Sequence, residues 1–149
     1  MTFRKIDTFI WSDAWFESLS PRAKMAFIYL WTNETCNAAG MYEISSNRIE
    51  FELGYDIDTI YSELKPKVEW YHDQSLIWVK NFFKYQAQSS KFAIAALNSI
   101  KSYPDRLQMF IKYNAKILGG YKIDLSRYHI DTISSRTEQS RAEQFMQPG

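Results

Sequence analysis

Apolar positions recur at helical spacing along the first part of the chain, switch to strand-like runs in its middle, and return to helical spacing beyond. Ser12-Asp13 stands where a cap is expected before a short helix, Ala14 to Leu19, which carries Trp15, Phe16 and Leu19. Ser20-Pro21 opens a longer helix to Asn33: Ser20 offers a capping oxygen, and Pro21 needs no N–H at the first helical position. Its stretch Met25-Ala26-Phe27-Ile28-Tyr29-Leu30-Trp31 is apolar nearly all round, which predicts a central, buried helix. A polar loop, Thr32 to Ala39, leads to a strand from Gly40 to Ile44. Ser45 or Ser46 then caps a short helix, Asn47 to Leu53, that buries Ile49 and Leu53 and turns at Gly54. Ile57, Ile60, Tyr61 and Leu64 form the core-facing stripe of a further helix starting at about Asp58, and Pro66 ends it. Val68 to Tyr71 and Leu76 to Val79 read as two strands, with Asp73 at the tip of the hairpin between them.

Helix, strand, helix, tight turn, helix and hairpin, in that order, predict a mainly α fold with a small β-hairpin wing: a winged helix-turn-helix over residues 1–90. After a polar break at Gln86 to Ser90, appended helices are expected over 91–120. Phe92, Ala95, Ala96 and Ile100 line one, and Tyr103-Pro104-Asp105 interrupts the chain. Leu107, Phe110, Ile111, Asn114, Ile117 and Leu118 line the next, and Gly119-Gly120 stops it. Residues 121–149 turn polar and read as a tail. A weak repeat lies at its start, where Tyr121-Lys122-Ile123-Asp124 recurs as Tyr128-His129-Ile130-Asp131.

Composition narrows the function. The chain has 149 residues, enough for one compact domain with additions, and 46% hydrophobic content is ample for a core. A single cysteine, Cys36, excludes an internal disulfide and a cysteine-based zinc cluster, and fits a reducing, cytoplasmic compartment. Met1-Thr2-Phe3-Arg4-Lys5-Ile6-Asp7 lacks the apolar core of a secretory signal, and no apolar run is long enough to span a membrane. His72 and His129 are the only histidines, without partners at metal or triad spacing, and no glycine-rich phosphate loop occurs. The pattern therefore predicts neither an enzyme nor a cofactor. Net charge is +1, with an excess of cations after Lys91, at Lys101, Arg106, Lys112, Lys116 and Lys122.

Candidate DNA contacts follow from the fold. On the third helix of the trio, Thr59, Ser62 and Lys65 face outward and suit base edges or phosphates, with Lys67 on a phosphate. Arg48 stands at the start of the preceding helix, and Gln74, Lys80 and Lys84 lie on or just after the wing. Each has a plainer reading as a solvated helix face, a turn or a strand edge. Asp56, Asp58 and Glu63 make the recognition face acidic, which costs Coulomb energy against DNA. Trp70, Tyr71 and Trp78 alternate on the strands and read as core, and Phe82-Phe83 read as packing against the appended helices.

Several segments carry a family resemblance: Arg4-Lys5-Ile6-Asp7-Thr8, Tyr29-Leu30-Trp31-Thr32-Asn33, Ala39-Gly40-Met41-Tyr42, Glu52-Leu53-Gly54-Tyr55, Trp78-Val79-Lys80-Asn81-Phe82 and Lys84-Tyr85-Gln86. Over Phe3 to Gln86 the chain resembles phage replisome-organiser proteins, whose N-terminal domain is similar to that of DnaD-type primosome proteins. The resemblance implies a winged helix that binds DNA during phage or prophage replication initiation; on this reading the expected partner is duplex DNA before single-stranded DNA. It also implies homo-oligomers and contact with replication proteins. The acidic recognition face keeps an alternative open, a protein-interaction module such as a phage-encoded inhibitor or adaptor of a host protein. A transcriptional regulator, dimeric on two half-sites, is the third reading.

Overall fold

The computed structural model describes residues 1–128 and divides the chain into two units, Met1–Gln88 and Ser89 onward. The expected repeat at His129 to Asp131 and most of the polar tail lie outside the described residues. The fold is mainly helical with one small antiparallel sheet.

In the first unit a 3-10 turn, Thr8–Ser12, precedes helix α1, Ala14–Ser18. Asp7 caps the turn and Asp13 caps α1, its carboxylate accepting from Phe16 N–H at 2.9 Å. Helix α2, Pro21–Thr32, begins at Ser20 as the Ser-Pro pair requires. It buries Ala23, Ala26, Phe27, Leu30 and Trp31 but leaves Met25 59% exposed, so it is central without being enclosed. Strand β1, Met41–Glu43, leads to helix α3, Ser46–Leu53, capped by Ser45. Gly54 ends α3 with φ 88°, the left-handed geometry that glycine adopts at no steric cost.

The segment expected to be a single recognition helix is two short pieces. A 3-10 turn, Ile57–Thr59, is followed by helix α4, Tyr61–Leu64, with Ile60 between them at φ −124°. Asp56 caps the turn through Asp58 N–H, which fixes a tight start, while Pro66 leaves no room for another turn at the other end. The stripe itself holds: Ile57, Ile60 and Leu64 are buried and Tyr61 is half-buried.

Strands β2, Val68–Tyr71, and β3, Leu76–Val79, form the hairpin, joined by a 3-10 turn and by Ser75 at φ 50°. The sheet order is β1-β3-β2, with Met41 opposite Trp78 and Val68 opposite Val79. Central β3 is buried on both faces. Its unbroken apolar run Leu76-Ile77-Trp78-Val79 already has the pattern of such a strand, not the alternation of a wing exposed on one side. Helix α5, Phe82–Gln86, closes the unit. Phe82 belongs to this unit's core, with its ring 5.2 Å from Trp31 and the Arg4 guanidinium 5.4 Å above it. Trp15, Phe16, Phe27, Trp31 and Phe82 form a continuous ring-to-ring chain through that core.

The second unit holds helices α6, Ser90–Ser99, α7, Pro104–Tyr113, and α8, Ala115–Gly120. The buried face of α6 is Ala93, Ala96, Leu97 and Ile100; Ala95 is exposed, so the true stripe begins one residue later than Phe92. Asn114, 2% exposed, separates α7 from α8 and donates its side-chain N–H to the Phe110 carbonyl at 3.1 Å. Both Gly119 and Gly120 are still helical. Tyr128 is buried, and its hydroxyl lies 3.1 Å from Asn98 Oδ1.

Candidate nucleic-acid interface

The residues named as DNA contacts divide into a group around α4 and the hairpin, and Arg48 alone on α3. Arg48 is exposed and pairs with Glu52 one turn along, 2.8 Å away. Their shared hydrogen bond lowers the Glu52 carboxyl and raises the guanidinium. Thr59 is exposed and donates its hydroxyl to the Asp56 carbonyl at 2.6 Å. Ser62 and Lys65 are exposed, and the Lys65 ammonium sits 5.0 Å over the Tyr61 ring. Tyr61 is itself fixed, its hydroxyl accepting from Trp70 N–H at 2.8 Å.

Lys67 and Lys80 are neighbours at the open end of the hairpin, where Lys80 N–H donates to the Lys67 carbonyl at 3.0 Å. Their side chains have separate surroundings. Lys67 reaches over Trp15, 6.0 Å from the ring centre. Lys80 pairs with Glu69 at 3.3 Å, and the same carboxylate accepts from the Tyr71 hydroxyl at 2.7 Å. Gln74 is half-buried in the hairpin turn, and Lys84 is exposed on α5, its ammonium 5.8 Å from the Tyr85 ring.

The acidity of this face changes meaning in three dimensions. Glu63 does not point outward with Asp58. Its carboxylate accepts from Ser20 N–H and from the Ser20 hydroxyl, both at 2.8 Å, at the start of α2. Unpaired N–H groups and the helix dipole favour an anion there. Asp56 is likewise occupied as a cap. What faces outward from α4 and its preceding turn is therefore Asp58, Thr59, Ser62 and Lys65. Helix capping is legible in sequence when the cap is local; Glu63 lies 43 residues from Ser20, and no local pattern marks it.

A second feature of the first unit went unmarked by the sequence. A pocket of about 150 Å³ opens beside the N-terminal turn, with Ile6, Phe9, Trp15, Trp31, Lys67 and Tyr85 in its walls. Phe9 is 68% exposed at this rim. Cys36, by contrast, is inert: burial pushes its thiol up to about 12 against the weaker opposing pull of Arg4. Among the described residues no group of His, Cys, Asp and Glu is arranged to hold a metal ion, and no helix is long and apolar enough to cross a membrane.

Comparison with protein-family models, with curated proteins and with solved structures gave no match.

Proposed function

We propose that this chain is a non-catalytic DNA-binding protein of the winged-helix type, serving replication initiation as the resemblance over Phe3 to Gln86 implies. One observation carries the reading. The order α2, β1, α3, turn, α4, β2, β3, combined with sheet order β1-β3-β2, supports it, because a winged helix expects a third helical element followed by a hairpin, and here the short α4 is followed by β2 and β3. The inward turn of Glu63 supports it further, because it removes one carboxylate from the surface that would meet phosphates. Thr59, Ser62 and Lys65 would then approach the groove, with Lys80 and Lys84 near the flanking backbone.

Fluorescence anisotropy with labelled duplex DNA over a salt series tests the reading. Lys65→Glu is the variant of choice, because Lys65 is exposed whereas Lys67 packs on Trp15. The expected result is weaker binding and a log–log salt slope flattened by about 0.9, the share of one phosphate contact on duplex DNA. A parent chain that binds no DNA at low salt would end this reading. The protein-interaction reading would then lead, supported by Phe51, which stands 88% exposed on α3 as a large apolar side chain.

A further inference from the structure

The pocket beside the N-terminal turn lies wholly within Met1–Gln88, and the DNA-binding reading makes no use of it. Aromatic rings build much of its wall. Trp15 meets Phe27 edge-on at 5.1 Å, and Phe27 lies 5.6 Å from Trp31, so the three rings hold one another in place. Trp31 is fixed further by its indole N–H, which donates to the Lys5 carbonyl at 2.7 Å. Phe9 and Tyr85, 68% and 49% exposed, complete the wall on the solvent side. The space, about 150 Å³, matches that of an apolar cavity that admits benzene and falls short of what a drug-sized ligand needs. A ring-lined hollow of this size suits one further aromatic ring, held in the edge-on and offset contacts that such rings prefer.

Charge decides what that ring carries. The charged residues in the wall are Asp7, Asp13 and Lys67. Each carboxylate is already engaged by a backbone N–H at 2.9 Å, Asp7 by Phe9 and Asp13 by Phe16. Lys67 is half-buried with its ammonium 6.0 Å over the Trp15 ring. Among the described residues it has no carboxylate within salt-bridge distance. A half-buried ammonium against an apolar wall gains from an incoming anion and repels a second cation.

We infer that this pocket binds a small aromatic carboxylate, with the ring among Trp15, Phe27 and Trp31 and the carboxylate at the Lys67 ammonium. The inference stands apart from DNA binding, and a chain that binds no DNA leaves it untouched.

Phenylacetate is the probe, titrated into the whole chain and followed by tryptophan fluorescence and backbone amide shifts. Its neutral and cationic counterparts, 2-phenylethanol and phenethylamine, run in parallel. Phenylacetate binds tightest of the three and moves the amides of Phe9, Trp15 and Trp31. Lys67→Met, which keeps an apolar stem on Trp15, weakens phenylacetate about fivefold, the share of one ion pair partly open to water, and leaves 2-phenylethanol unchanged. Phe9→Ala, at an exposed position, weakens both about threefold through the lost ring contact. The urea midpoint confirms that each variant is folded. Amides that do not move with phenylacetate at up to about 10 mM overturn the site. Phenethylamine binding more tightly than phenylacetate, or phenylacetate affinity unchanged in Lys67→Met, overturns the carboxylate. Thymidine 5′-monophosphate that displaces phenylacetate at a lower concentration than phenylacetate itself needs overturns the inference in favour of a nucleotide.

Discussion

Replacing Glu63 with alanine asks whether an acidic residue on the candidate DNA face is there for the fold. The carboxylate accepts two hydrogen bonds at 2.8 Å from Ser20, one from the backbone and one from the hydroxyl. Hydrogen bonds to a charged group contribute about 1.5–3 kcal/mol each in net terms. The site is only half-buried and Ser20 can turn to water, so the lower end applies to the pair. Loss of the favourable charge at the start of α2 adds about 0.3–1 kcal/mol. Glu63→Ala should therefore cost about 2–3 kcal/mol, and Glu63→Gln, which keeps one acceptor oxygen, about 1 kcal/mol. Urea unfolding followed by tryptophan fluorescence reads both, with an unchanged slope on denaturant as the sign that only stability moved. A cycle with Ser20→Ala should give a coupling of about 0.5–1.5 kcal/mol, because alanine removes the hydroxyl's bond to Glu63 and keeps the backbone one. If Glu63→Ala is as stable as the parent and binds DNA more tightly, the carboxylate faces outward and the assignment fails.

Two further outcomes follow from local geometry. A Cβ on Gly40, at φ 70°, would lie 2.5 Å from the Phe82 Cβ, so Gly40→Ala should lose about 2–4 kcal/mol from left-handed strain plus overpacking, seen as a large fall in Tm. Gly54→Ala meets nothing within 4 Å at φ 88° and should lose only about 1–2 kcal/mol, so equal losses at the two positions would contradict the close approach. For the buried groups the sign of the pH dependence is fixed. The Cys36 thiol rises from an ordinary 9.0 to about 12 and the Tyr42 hydroxyl is also pushed up, both chiefly by burial. Unfolding then releases protons above the ordinary values. Stability contributed by these groups is complete below pH 9.0 and is lost as pH climbs toward about 12, as the urea midpoint across alkaline pH would show. At neutral pH Cys36 should react with a thiol reagent only in urea; rapid labelling of the native chain would refute its burial.

Local signals in the sequence located most elements. Ser20-Pro21, Ser45 and Gly54 fix helix ends through chemistry within one turn, and each stands at the end of a helix. The hairpin's strands, Val68–Tyr71 and Leu76–Val79, run where β-branched and aromatic residues cluster. Failures came where an apolar stripe leaves the backbone or its phase undetermined. A periodic stripe from Ile57 to Leu64 fits one helix, but Asp56 and Pro66 compress it into a 3-10 turn and a single helical turn. Ala95 was placed on the buried face of α6 because apolar character alone does not fix the phase of a stripe. At the candidate site the residue types were visible, whereas their engagement was not: Lys80 with Glu69, Arg48 with Glu52, and Glu63 with Ser20 are distinguished only once the chain is folded.

Buried Gln86 has a topological consequence. Its amide donates to the Lys5 carbonyl at 2.6 Å and accepts from Lys5 N–H at 2.9 Å, as a strand partner would. The two ends of Met1–Gln88 are thereby stitched side by side, and the unit is a closed circuit whose entrance and exit share one doorway. A chain that enters at Lys5 and leaves at Gln86 therefore does so at one place, and separating the two segments would strip both amide groups of the buried Gln86 of their partners at once.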